Sequence, residues 1–199
     1  MTRRLIQLFA GLVLYGLSIA LIVRADLGLD PWDVLNQGVF ERFAKPAGIS
    51  FGLVVNLIGM AVLLLWIPLR QKPGIGTVAN VLVIGTVANF GLDWIPSDLD
   101  LPLRAGLLIA GIVLNGVASG AYIGAGLGPG PRDGLMTGMV ARTGWPVKWV
   151  RTAIELTVIA IGWLLGGSVG LGTVLYALTI GPLMHVFLPL FTIRPKTAH

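Results

Sequence analysis

Ala125-Gly-Leu-Gly-Pro-Gly-Pro-Arg-Asp-Gly-Leu135 repeats the frame of Ala25-Asp-Leu-Gly-Leu-Asp-Pro-Trp-Asp-Val-Leu35, one hundred residues earlier. Each copy follows an apolar run, supplies glycine where a helix must break, and opens a new segment with Pro followed two residues later by Asp. Residues 9–42 align with 109–142 without a gap and with thirteen identities in thirty-four positions, including Ala10-Gly11 with Ala110-Gly111 and Gly16 with Gly116. Further on, Gly74-Ile-Gly-Thr77 matches Gly170-Leu-Gly-Thr173. The chain is therefore built twice, with repeat 1 over about 5–95 and repeat 2 over about 103–191.

The medium in which these repeats fold follows from composition. Of 199 residues, 55% are hydrophobic and 12% charged, and the mean hydropathy is +0.87. A soluble domain has about twice that share of charge, so the chain belongs in a lipid bilayer as a single transmembrane domain spanning 1–199. The net charge of +5 is spread between apolar runs with no basic patch or interleaved aromatics, which excludes nucleic acid as a partner. There is no cysteine, hence no disulfide or thiolate site.

Six apolar runs are long enough to cross a hydrocarbon core, which takes roughly 20 helical residues: Leu5 to Val23, Ile49 to Leu69, Thr77 to Trp94, Leu103 to Ile123, Trp149 to Leu165 and Leu171 to Phe191. Lipid offers no partner to a strand edge, so these runs are expected as helices. Leu5 to Val23 reads as a retained span rather than a signal peptide, because it exceeds the usual apolar region, lacks a small-residue cleavage site and has an internal counterpart.

Two further segments, Pro31 to Ala44 and Pro131 to Thr143, are too short and polar to span and read as amphipathic broken or re-entrant helices. Asp30 suits the N-cap, Pro31 the first helical position, and Asp33 the positive helix end; Gly130, Pro131 and Asp133 take those places in the second copy. Gly28, Gly128 and Gly130, with the two prolines, form the helix breaks.

With the N-terminus inside, ten of the fourteen basic residues become cytoplasmic, among them Arg3, Arg4, Arg70, Lys72, Arg142, Arg194 and Lys196. Seven acids, from Asp26 to Asp100, then face outward. Both termini are thus expected on the cytoplasmic side. Three spans per copy is an odd number, so the second copy enters the membrane inverted relative to the first. Inverted repeats with broken helices recur in secondary transporters, whose sites lie at the repeat interface.

The candidate site residues follow from that plan. Apart from Asp93, next to the end of its run, Glu155 is the one acid inside an expected span, and Asn56 takes its place in the first copy. An ionisable group at that depth marks a pathway or proton relay, or else a structural carboxylate paired with Arg151 or Arg132. Asp33 and Asp133 read either as caps or as paired carboxylates for a cation or shared proton. Arg132 at the second helix start would favour an anion, so substrate charge stays open. Tyr15, Asn80, Asn89, Asn115 and Tyr176 either line a cavity or join helices. His185 and His199 are too far apart for a metal site, and His185 reads as a packing residue. Nothing indicates a cofactor or an enzyme: the Gly-x-Gly-Thr motifs lack the Gly-Lys-Ser/Thr ending of a phosphate loop.

Leu27-Gly-Leu-Asp-Pro-Trp-Asp-Val-Leu35, Gly126 to Gly138, Val150 to Glu155 and Gly162 to Thr173 resemble the bacterial YczE-like integral membrane proteins and, more distantly, the YitT family. The resemblance covers nearly the whole chain and implies the bacterial cytoplasmic membrane. It implies no catalytic or substrate residue. The expected function is a small transporter or permease with a site between inverted repeats, holding Asp33, Asn56, Arg132, Asp133 and Glu155 and coupled to protons through Glu155. The competing readings are a substrate-binding subunit of a larger importer and a lipid-handling or scaffold protein. The expected partners are the bilayer and a small-molecule or lipid substrate, and six short glycine-rich helices leave room for a homodimer.

Overall fold

The apolar runs become helices because every backbone polar group in such a run must be satisfied within its own segment. In the structure, a computed structural model that describes residues 1–193, all regular elements are helical. Arg194 and Lys196, of the basic set expected on the cytoplasmic side, and His199 lie outside the described residues. In chain order the helices are α1 (Thr2–Ala25), α2 (Pro31–Val39), α3 (Phe51–Leu64), α4 (Trp66–Leu69), α5 (Ile75–Trp94), α6 (Leu101–Gly124), α7 (Pro131–Thr143), α8 (Val147–Leu164) and α9 (Leu171–Phe191).

Among the described residues five segments are long and apolar enough to cross a membrane: α1, the continuous stretch Phe51–Leu69 that includes α3 and α4, α5, α6 and α9. That is one fewer than the sequence suggested. α8 has 18 residues, but Lys148, Arg151 and Glu155 lie along it, and this charge keeps it outside the apolar class. Large apolar side chains such as Ile67, Leu164, Leu171, Leu178 and Leu190 are exposed on the outer surface. So wide an apolar exterior fits lipid rather than water.

The first break ends α1 at Asp26, which is left-handed (φ 47°). Asp30 then caps α2: its Oδ1 accepts from the Trp32 and Asp33 N–H groups at 2.9 and 3.2 Å, with Pro31 at the first position. The expected helix Pro31 to Ala44 is regular only to Val39, then passes through a π turn (Phe40–Ala44) and a 3-10 turn (Lys45–Ala47). In the second break Gly130 takes the cap position without a side chain, and α7 begins at Pro131.

The two breaks exchange partners. Gly172 N–H donates to the Leu27 carbonyl at 2.7 Å, and Gly76 N–H donates to the Leu127 carbonyl at 2.8 Å. Thr77 Oγ1 adds a bond to the Pro129 carbonyl at 2.7 Å. Gly28 and Gly128 permit this approach. Both have positive φ, 109° and 119°, and a Cβ on Gly28 would lie 2.6 Å from Gly170 N. Each unwound strand of backbone is thereby satisfied by the glycine-rich helix start of the other half, as irregular backbone in an apolar setting requires.

The same exchange governs helix packing. α1 lies along α6, α2 packs against α8, and α7 packs against α3 and α4. A Cβ on Gly11 would stand 2.7 Å from Tyr122 N, and one on Gly111 would stand 2.7 Å from Ile22 Cγ1. Small residues at equivalent positions thus let α1 and α6 approach closely, as in membrane helix pairs. Across this seam Asn115 Nδ2 donates to Ser18 Oγ at 2.9 Å, and Tyr176 from α9 donates to Asn115 Oδ1 at 3.0 Å.

A candidate binding cavity between the two helix breaks

The short helices start beside each other, which gathers their charged residues. Arg132 of α7 reaches to the first break, with Nη1 3.6 Å from Asp30 Oδ1 and Nη2 3.5 Å from Asp33 Oδ1. Its guanidinium lies 5.1 Å from the centroid of the Trp32 ring, within range of a cation–π contact. Asp33 is fully buried, and its Oδ1 also accepts from Asn36 Nδ2 at 2.7 Å. Asp33 is therefore not a helix cap: Asp30 does the capping, and Asp33 faces the arginine of the other repeat.

Asp133 has a different partner from its counterpart. The Tyr122 hydroxyl on α6 donates to Asp133 Oδ2 at 2.5 Å, and the Tyr122 ring meets Tyr15 edge-on with centroids 5.9 Å apart. Tyr122→Phe keeps the ring contact and leaves the carboxylate without its donor. The expected cost is about 1–3 kcal/mol, read as a lowered unfolding midpoint of the purified protein in detergent.

Two cavities adjoin this cluster. The larger, about 150 Å³, is bounded by Asp30, Trp32, Tyr15, Tyr122 and Tyr176, with Arg151 and Glu155 on the α8 side. The smaller, about 60 Å³, lies toward α3 and α5 and includes Asn80. Tyr15, Trp32, Tyr122, Arg132 and Asp133 border both, so these side chains form the partition between them.

Of the expected site residues, Arg132, Asp133 and Glu155 border the larger cavity, and Asp33 joins them through Arg132. Glu155 is engaged: its Oε1 accepts from Arg151 Nε at 2.7 Å, one helical turn away. Pro31, Gly130 and Pro131 lie at the cavity margins, whereas Gly28 and Gly128 serve the backbone exchange.

Asn56 is placed elsewhere. Its Oδ1 accepts from Gly85 N–H at 3.0 Å, and its Nδ2 points to the Leu82 carbonyl and Thr86 Oγ1, so it ties α3 to α5 and borders neither cavity. Asn89 does similar work, accepting from Gly52 N–H at 2.7 Å. His185 is exposed on α9 rather than packed.

Residues missing from the expected site are Trp32, Tyr122 and Asp30 in its second role toward Arg132. Tyr122 had a readable cue, the one phenol of its apolar run, eleven positions before Asp133. The pairing of Asp30 with Arg132 had none, since it joins residues a hundred positions apart.

Apolar helices around a buried charged cluster define an α-helical membrane protein. The chain matches the family of unknown function DUF6198 over residues 2–189 and belongs to that family. It is 34% identical over 185 residues to the uncharacterized membrane protein YczE of Bacillus subtilis, covering 91% of this chain and 83% of that one. An uncharacterized protein of Haemophilus influenzae is 38% identical, covering 96% and 85%. The Bacillus subtilis protein YyaS is 25% identical, covering 90% of each chain. No solved structure matches the chain.

Proposed function

We propose that the protein is a small secondary transporter or permease whose substrate site is the cavity between the two helix breaks. In this reading its halves are inverted repeats, α8 supplies the sixth crossing, and both termini face the cytoplasm. The observation that carries the reading is the exchange of backbone bonds, Leu27 with Gly172 and Leu127 with Gly76. Equivalent residues of two sequence repeats satisfy each other's broken helices beside a charged cavity, which is the plan of transporters that rock one repeat against the other. α2 and α7 are wedged among longer helices, with Val34, Asn36 and Asp33 fully buried. That burial favours re-entrant helices over the interfacial ones of a lipid-handling scaffold.

Glu155 is the coupling residue in this scheme, its Oε1 bonded to Arg151 Nε at the edge of the cavity. Proteoliposomes loaded with a pH-sensitive dye test it. Substrate-driven proton movement is expected in the wild-type protein and is expected to vanish in Glu155→Gln, while unchanged flux in that variant removes the coupling role.

A further inference from the structure

Three side-chain atoms around the first break are buried without a hydrogen-bond partner among the described residues: Asp30 Oδ2, from a residue that borders the larger cavity, and Asp33 Oδ2 and Asn36 Oδ1 behind it. All three are acceptors. Buried acceptors without donors are costly, so what this centre lacks is a donor. The charge balance has the same sign. Asp30 and Asp33 face a single guanidinium, that of Arg132, Asp133 is bonded to the Tyr122 hydroxyl, and Glu155 pairs with Arg151. Arg132 does not close the balance, because its contacts with both first-break carboxylates are long, at 3.5 and 3.6 Å.

The walls narrow the class further. Asp30, 2% exposed, borders the 150 Å³ cavity together with the aromatic rings of Tyr15, Trp32, Tyr122 and Tyr176. Aromatic faces beside a carboxylate suit an organic cation, attracted to the rings through their quadrupoles. Met136 and Met184 complete an apolar side. Space of that size holds a molecule of about six non-hydrogen atoms, since a cavity of about 150 Å³ accepts benzene. Among the described residues no three His, Cys, Asp or Glu side chains converge as metal ligands.

Resting on the reading of this cavity as a substrate site, we propose that its ligand is a small organic ammonium ion, seated against Asp30 and the surrounding aromatic rings. The carboxylate supplies the counter-charge, and the rings exclude the better-hydrated inorganic cations.

The test is ligand-dependent thermal unfolding of the full-length protein in detergent, at fixed ionic strength. The probes are tetramethylammonium and isobutylammonium, with isobutanol as the neutral isostere, potassium as the inorganic cation and acetate as the anion. A saturable rise in Tm with either ammonium, absent with isobutanol and potassium, is the expected result. Asp30→Asn retains a good cap and is expected to weaken ammonium binding roughly tenfold or more through loss of the charge. Equal responses to ammonium and isobutanol in the wild-type protein, or stabilisation by acetate instead, overturns the proposal without needing any variant. Ammonium binding with no flux in proteoliposomes preserves the ligand class and refutes the transport reading. Flux of other solutes without ammonium binding does the reverse.

Discussion

Arg132→Ala is expected to destabilise the protein by about 3 kcal/mol, the cost of leaving buried carboxylates without their counter-charge. Asp33 is fully buried and Asp30 nearly so, and Arg132 is the cation facing both. The loss is electrostatic in origin, so a second substitution should reverse part of it. Asp33→Asn in the Arg132→Ala background removes one stranded charge and keeps the side-chain shape. Chemical unfolding in detergent micelles is expected to place the double variant above Arg132→Ala alone, with a coupling between the two sites well outside additivity. Additive losses would mean that Arg132 contributes by packing on Trp32 rather than by charge.

Gly28→Val and Gly128→Val are the second pair of large effects. Each puts a branched side chain where φ is strongly positive, at 109° and 119°, and strain of that kind costs about 1–3 kcal/mol. The collision adds to it. A Cβ at Gly28 meets Gly170 N at 2.6 Å, and one at Gly128 meets Gly74 Cα at 3.0 Å, and overpacking typically adds about 1–3 kcal/mol. Losses of about 2–6 kcal/mol are therefore expected at both positions, measured as folded yield and unfolding midpoint. Gly48→Ala is the control, because its Cβ would meet nothing within 4 Å despite a φ of 70°. A mild effect at Gly28 with a severe one at Gly128 would show that the two breaks do not bear equivalent contacts.

The parts of this structure that depend on local chemistry were legible in the sequence. Asp30 before Pro31 specifies a cap whatever surrounds it, and the glycines of each break forced helix ends within a few residues of their observed places. The Glu155 and Arg151 pair was equally readable, since four residues on a helix make one turn. Contacts set by tertiary packing were not legible. Asn56 occupies the position of Glu155 in the repeat, yet α3 packs closely on α5 where Gly52 opposes Gly85, and Asn56 is drawn into that seam. α8 packs chiefly on α2 and α7 instead, which leaves Glu155 free to border the cavity. Equivalence in sequence therefore did not carry equivalence of facing. The sequence leaves Asp33 open between a cap and a paired carboxylate for a related reason: the Arg132 it faces lies in the other half of the chain, and no local pattern announces it.

The proposed function stands or falls on the opposed orientation of the two halves, and single-cysteine labelling tests that directly. The natural chain contains no cysteine, so Lys45→Cys and Trp145→Cys each introduce one reporter, at exposed positions just beyond the two short helices. Inverted halves predict that a membrane-impermeant maleimide applied outside intact cells labels position 45 and spares position 145 until the membrane is permeabilised. Labelling of both positions from the same side would contradict the inverted arrangement and, with it, a transport site between the breaks.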